Sequence, residues 1–188
     1  MLVVVLSVLL FFLYTGIETA AGQWAYSLFV EGRAVAPQTA SLWVSIFWGA
    51  LAIGRVLSGI VANRLSAVFL VRAAALGLLV GAVLIWLDLS QVSSFVGLGL
   101  MGLAAATVFP TLIAATPERV GPKRASRVIG FEVGAASLGI GGIPALGGVL
   151  AARWGLEAIP LLLVVATSAM VVLHEAVVRV ATHESADG

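Results

Sequence analysis

The sequence contains no cysteine and only two histidines, so several kinds of chemistry have no residues to support them. Without cysteine there can be no disulfide, no thiolate nucleophile and no cysteine-ligated metal. The histidines, His174 and His183, both lie near the C-terminus and are too few for a typical catalytic metal site. No Ser-His-Asp arrangement or Walker motif is present either. We therefore expect no cofactor, no metal and no enzymatic activity.

Charged residues are also scarce. They make up 10% of the 188 residues, whereas hydrophobic residues make up 61%. A soluble domain typically carries about a quarter charged residues, and so few charges would leave large apolar patches in water. The net charge of +1 and the lack of a basic stripe argue against nucleic acid as a partner.

What the sequence has in abundance is long apolar runs. Each is about long enough to cross the ~30 Å hydrocarbon core of a bilayer as a helix. The sequence therefore predicts an all-α membrane protein in which residues 1–188 form a single six-helix bundle. The runs cover roughly residues 2–30, 41–62, 67–87, 92–115, 128–152 and 159–178.

The first run could instead be read as a secretory signal peptide. Its apolar stretch is too long for one, no Lys or Arg precedes it, and Glu18 interrupts its later part. We therefore interpret it as the first membrane span.

Basic residues are distributed unevenly among the short loops, which predicts an orientation. The first-to-second and fifth-to-sixth connections hold only Arg33 and Arg153, and basic residues are enriched on the cytoplasmic side of membrane proteins. Both termini are therefore expected in the cytoplasm. Arginine outnumbers lysine nine to one, and Ala, Val and Gly are abundant, which suggests a GC-rich bacterial genome and hence a bacterial inner membrane. The other loops and the tail contain Arg64, Arg72, Arg119, Lys123, Arg124, Arg127 and Arg179.

The six runs are not equivalent. Runs three and six have no charge in their interiors and are expected to face lipid. Runs one, two and five each hold an ionisable residue, run four holds Pro110, and run five is rich in glycine. This pattern indicates two repeats of three helices, a design that recurs in secondary transporters.

Three charges lie in the interiors of these runs, where each would cost about 2.5–3.5 kcal/mol if it faced lipid. Glu18 is about 18 Å from the outer end of its run, near the midplane, where a carboxylate suits a protonatable gate. Arg55 would bind an anionic group or gate the cavity, and Glu132 lies at a similar depth in run five. Each could instead be structural, and the sequence does not show whether Arg55 and Glu132 meet.

Polar and aromatic neighbours extend this set of candidates. Gln23 and Trp24 follow Glu18 towards the outer end of the first run. Trp48 lies seven residues before Arg55 and therefore on the same stripe of its helix. We expect these three residues to line the cavity, although the aromatic rings could also serve as interface anchors.

One apparent nucleotide motif is rejected. Residues 97–102 match GxGxxG, but this fingerprint binds dinucleotides only between a strand and a helix of a βαβ unit. Inside an apolar span the glycines are expected to serve helix packing.

The connection between runs two and three carries a recognisable sequence. Residues 59–65, GIVANRL, resemble the GxLaDRxGRR loop of the major facilitator superfamily, with Gly59 and Arg64 in matching positions. Asn63 replaces the usual Asp, so the charge-relay role of that Asp is not carried over. Four further segments resemble helices of the C-terminal half in this family, with the fucose- and sugar-transporter branch as the best match. They are residues 12–24, 47–55, 109–121 and 130–132.

The resemblance implies alternating access between two six-helix bundles, often driven by a proton gradient. It also implies that helices one, two, four and five line a cavity while three and six face lipid. We thus expect a proton-coupled symporter half that binds a small solute and pairs with a second six-helix half or a second copy. The alternative is a non-transporting membrane bundle, such as a truncated product, subunit or scaffold.

Overall fold

The computed structural model describes the backbone of residues 2–61 and 64–186, and all of their side chains except those of 61 and 183–186. Within this part of the chain the structure is helical, and six helices are long and apolar enough to span a membrane. The prediction of a six-helix membrane protein is therefore confirmed. The helices are α1 (Leu2–Ser27), α2 (Pro37–Val61), α3 (Ala67–Leu87), α4 (Gln91–Val120), α5 (Pro122–Trp154) and α6 (Ala158–Ala186).

Local sequence signals set several helix ends. The Ser66 hydroxyl accepts a hydrogen bond from the Phe69 N–H at the start of α3. Ser90 and Ser93 form a reciprocal capping box at the start of α4. Gly121, with φ of 80°, ends α4 and donates its N–H to the Pro117 carbonyl. Because Pro122 then occupies the first turn of α5, the two helices meet with almost no intervening loop.

The helices extend beyond several of the apolar runs. Helix α4 continues to Val120 and α5 begins at Pro122, because their polar terminal turns remain helical outside the apolar segment. Helix α1 ends in a π-helical turn, Leu28–Gly32, which hydropathy alone does not reveal. The chain then reverses at Ala34, whose φ is 53°.

Helix α1 lies at the centre of the bundle, where it packs mainly against α5 and also against α6 and α4. Glycines bring α1 and α5 together: a Cβ on Gly139 would overlap the Phe12 carbonyl oxygen, and one on Gly16 would overlap the Ile143 side chain. Helix α4 packs against α2 and α3, and α3 also packs against α6. The position of α1 thus places its polar residues against several neighbouring helices.

Large apolar side chains remain exposed on the outside of the bundle. On α2, Ile53 and Val56 are 62% and 70% exposed, and on α5 Leu138 is 70% exposed. Helices α3 and α6 also expose apolar residues, including Leu76 and Val172. Such a surface is suited to lipid or to another apolar helix rather than to water.

Because six antiparallel spans return the chain to its starting side, both termini lie at one end, here called the terminal end. The opposite distal end contains three turns, and Arg33 joins them. Its guanidinium contacts both oxygens of Glu157 at 2.8 Å and an oxygen of Asp88 at 2.9 Å. It also donates to the Ser94 hydroxyl and to the Ile85 carbonyl. The distal turns are therefore held together by one side chain.

Candidate functional site

The central polar site begins on α1, where Tyr14 and Glu18 lie one helical turn apart. Tyr14 is fully buried and the Glu18 side chain is 12% exposed. The Tyr14 hydroxyl is in hydrogen-bond contact with Glu18 Oε2 and, at 2.8 Å, with the carbonyl oxygen of Ala105 in α4. Glu18 is thus connected to the middle of α4 through the tyrosine.

Arg55 reaches the same carboxylate from α2. Its Nη2 atom lies 3.0 Å from Glu18 Oε1, and its side chain is 49% exposed. An ion pair inside a membrane bundle reduces the cost of carrying charge there, and a pair open to a cavity remains free to exchange partners or protons. The geometry therefore combines a fixed carboxylate with an accessible cation.

A cavity of about 380 Å³ surrounds this pair. Helix α4 contributes Phe109 and Pro110, and α5 contributes Ile140. Proline has no N–H, so Pro110 cannot donate the helical hydrogen bond to the carbonyl of Ala106. The part of the cavity wall that α4 contributes is therefore a turn that lacks one helical hydrogen bond. The remaining lining residues are Thr15, Glu18, Thr19 and Arg55.

Thr15 and Thr19 of α1 also line the cavity, and their hydroxyl groups donate hydrogen bonds to backbone carbonyl oxygens. Thr15 Oγ1 lies 2.9 Å from both the Phe11 and the Ala136 carbonyl oxygens, and Thr19 Oγ1 donates to the Thr15 carbonyl. Thr15 thus links α1 to α5, whereas the Thr19 hydrogen bond stays within α1. Neither threonine was predicted from the sequence, although their position close to Glu18 on the same helix was an available signal.

Gln23 and Trp24 line a second cavity, of about 500 Å³, nearer the distal end. Trp24 Nε1 donates to the Pro144 carbonyl oxygen at 3.0 Å, which ties the ring to α5. Ile140 lines both this cavity and the one at Glu18 and therefore lies between them.

Trp48 occupies a different environment from the one expected. Its ring lies against Gly22 of α1 and edge-on to Phe47, and it is 41% exposed. It is absent from the lining of the described cavities. A Cβ on Gly22 would overlap the Trp48 ring, so the contact depends on that glycine.

Glu132 lies apart from the cavity. It is fully buried in α5, and both carboxylate oxygens contact the Thr116 hydroxyl of α4, at 3.1 and 2.9 Å. Arg55 pairs with Glu18, so the Arg55–Glu132 contact considered from the sequence does not form here. Glu132 therefore lies in the contact between α5 and α4, because the rotation of α5 turns this residue towards α4, and it is not among the residues that line the cavity around Glu18 and Arg55.

A third cavity, of about 550 Å³, lies between α2, α3 and α4 on the terminal side of Arg55. Gly59 of the family-like loop lines it together with Glu118. Arg64 is exposed just beyond the end of α2, and Asn63 lies outside the described residues. Among the described side chains no group of three potential metal ligands occurs.

Comparison with known protein families accounts for almost the whole chain. The sequence profile of the Major Facilitator Superfamily matches residues 3–187. Comparison with curated proteins gives no match.

Proposed function

Because the chain belongs to the Major Facilitator Superfamily, whose members are membrane transporters, we propose that it forms one half of a secondary transporter. In this proposal a small solute crosses the membrane by alternating access, and proton binding at Glu18 drives the cycle. The observation that carries the proposal is the Glu18–Arg55 ion pair inside membrane-spanning helices, with one face open to a cavity.

The charges suggest a role for each residue. Protonation of Glu18 would weaken its pairing with Arg55 and free the guanidinium for an anionic or hydroxyl-rich solute. Gln23 and Trp24 lie in the adjoining distal cavity, where they would contact the solute on its way to the pair. The resemblance of the sequence to sugar transporters makes sugars the first solutes to test. We also propose that both termini face the cytoplasm of a bacterial cell and that the protein resides in the inner membrane.

The proposal is tested by uptake into vesicles that contain the transport-competent assembly, with a panel of solutes and with or without a pH gradient. Glu18→Gln should abolish gradient-driven uptake, because an amide of the same shape does not bind and release a proton near neutral pH. Glu31→Gln is the matched control, since Glu31 is exposed at the end of α1. Unchanged gradient-driven uptake in Glu18→Gln would contradict the assignment.

We further propose that a second six-helix bundle covers the faces of α2 and α5. On α5, Gly130, Gly134 and Gly141 have nothing within 4 Å of the position that a Cβ atom would take, so another helix has room to approach closely. The second bundle would come from the same polypeptide, from another one, or from a second copy. A cavity between two such bundles would enclose the Glu18–Arg55 pair.

The native sequence lacks cysteine, which allows a direct test of this surface. Ser137 is exposed on α5, and Ser137→Cys should be protected from a membrane-permeant maleimide in the assembled protein. Leu76, exposed near the middle of α3 as Ser137 is near the middle of α5, provides the depth-matched control variant Leu76→Cys, which should react faster because no second bundle is expected to cover it. Equal reactivity of the two cysteines would show that α5 is uncovered and would favour a free-standing bundle.

A further inference from the structure

The Tyr14 hydroxyl contacts two oxygens that both act as hydrogen-bond acceptors when Glu18 is ionised. One is Oε2 of Glu18 and the other is the carbonyl oxygen of Ala105, at 2.8 Å. A tyrosine hydroxyl has one proton to donate, although its oxygen can also accept. The two contacts therefore cannot both be hydrogen bonds donated by Tyr14.

The protonation state of Glu18 determines which of the two oxygens receives the hydroxyl proton of Tyr14. When Glu18 is ionised, a charged acceptor competes with a neutral carbonyl, and the Tyr14 proton is directed to the carboxylate. When Glu18 carries a proton, its O–H donates to the Tyr14 oxygen, and Tyr14 then donates to Ala105. Only the second arrangement makes both contacts hydrogen bonds and forms a continuous chain from Glu18 to α4.

We propose that Tyr14 is a positioning residue that transmits the protonation of Glu18 to α4 by redirecting its single hydroxyl proton. The inference rests on the proposed role of Glu18 as the proton site and adds the route by which that proton affects the bundle. Its consequence is that proton binding strengthens the link between α1 and α4, and proton release weakens it.

The hydrogen bond from Tyr14 to the Ala105 carbonyl reaches α4 one turn before Pro110. Ala105 precedes Pro110 by five residues, and Pro110 leaves the next carbonyl, that of Ala106, without its helical donor. The backbone just beyond Ala105 is thus a part of α4 that can bend more easily than a fully hydrogen-bonded turn, as is the turn before Pro117. A hydrogen bond that appears and disappears at Ala105 is placed to hold or release that bend beside the cavity.

Among the described residues that line the cavity, Arg55 of α2 is the charged group that faces the tyrosine and glutamate. It pairs with Glu18 and lies near enough to Tyr14 to interact with it. Arginine side chains are not deprotonated in proteins. From α4 the cavity receives Phe109 and Pro110 and from α5 it receives Ile140, none of which titrates. A change in Tyr14 between neutral and mildly acidic pH is therefore attributable to Glu18.

The chain contains only two tyrosines, so the hydroxyl of Tyr14 can be observed alone. In the Tyr26→Phe background, Raman spectra of the whole protein in lipid report the tyrosine ring doublet, whose intensity ratio depends on whether the hydroxyl donates or accepts. Infrared difference spectra of the same sample report protonated carboxyl groups, and subtraction of the spectra of Tyr26→Phe/Glu18→Gln isolates the band of Glu18 from those of the other acidic residues. We expect the doublet ratio and the Glu18 band to change together with pH. In Tyr26→Phe/Glu18→Gln the doublet ratio should not change.

The possible outcomes separate this inference from the proposed function. If the Glu18 carboxyl band titrates while the tyrosine doublet stays constant, the switch is overturned and the proton site stands. If no Glu18 band titrates, the proton site and the switch are both overturned. A doublet that still changes in the Glu18→Gln background would also overturn the switch, since another group would then control Tyr14.

Transport provides a second readout that a purely structural tyrosine would not produce. Tyr14→Phe should lower gradient-driven uptake by about tenfold while it leaves solute binding within about twofold, because only the hydroxyl is removed and the ring still fills its buried position. Equal losses in binding and in gradient-driven uptake would indicate a structural role and contradict the proposal. Tyr26→Phe serves as the control and should match the wild type in both measurements.

Discussion

Arg33 and Arg55 both pair with carboxylates, yet they have opposite surroundings. Arg33 makes five hydrogen bonds, its side chain is 7% exposed, and it joins the three distal turns. Arg55 makes one hydrogen bond to Glu18, and half of its side chain is open to a cavity. A guanidinium whose donors are all engaged fixes a structure, whereas one with free donors is available to a ligand. We therefore expect the first arginine to stabilise the fold, and we propose that the second one binds a ligand.

The largest expected difference in stability between the two arginine sites appears when each guanidinium is removed. Arg33→Met should lower the free energy of unfolding by about 2–4 kcal/mol, because Asp88, Glu157 and the Ile85 carbonyl lose their shared donor. Arg55→Met should cost less, about 1 kcal/mol, because this guanidinium makes a single hydrogen bond and half of its side chain is exposed, but it should abolish solute uptake. Thermal unfolding in detergent and vesicle uptake, measured on both variants, would test the contrast. Similar losses of stability in the two variants would contradict the contrast between Arg33 and Arg55.

A smaller difference is expected when the charge is kept and the shape of the group is changed. Lysine cannot reproduce the two-pronged contact that Arg33 makes with Glu157, so Arg33→Lys should cost about 1–2 kcal/mol of stability. Arg55→Lys preserves the single contact with Glu18 and should leave the melting temperature unchanged. A lower melting temperature for Arg55→Lys than for Arg33→Lys would reverse the assignment.

The smallest effect is expected at an exposed pair. Arg72 of α3 lies 2.6 Å from Glu175 of α6, and both side chains are substantially exposed. Such pairs contribute little to stability, so Glu175→Gln should not measurably change the melting temperature. A loss as large as that of Arg33→Met would mean that the number of hydrogen bonds and the degree of burial do not separate structural ion pairs from the rest.

The sequence was sufficient for the fold because the six apolar runs and their membrane-crossing length follow from hydropathy alone. The depth of Glu18 and Arg55 in their helices could also be read from residue spacing. What spacing cannot supply is the rotation of each helix about its axis, which decides which neighbour a side chain meets. This is why Glu132 proved to face Thr116 of α4 and why the partner of Arg55 remained open until the packing was known.

Two other features depend on tertiary contacts in the same way. The ring of Trp48 rests against Gly22 because that glycine leaves space on α1, and no pattern within α2 indicates this. Arg72 is grouped with the loop charges by sequence, but it lies within α3 and pairs with Glu175 of α6 across the contact between these helices. Arg72 and Glu175 lie towards the ends of runs three and six, so the prediction that these runs have no charge in their interiors holds for their central turns.

Proton movement through Glu18 is the central claim, and it is tested most directly by measuring proton flux itself. Vesicles that contain the transport-competent assembly and an internal pH-sensitive dye are exposed to a transported solute. The wild type and Glu31→Gln should show a solute-dependent change in internal pH, and Glu18→Gln should show none. A Glu18→Gln protein that moves protons with the solute as the wild type does would contradict the account.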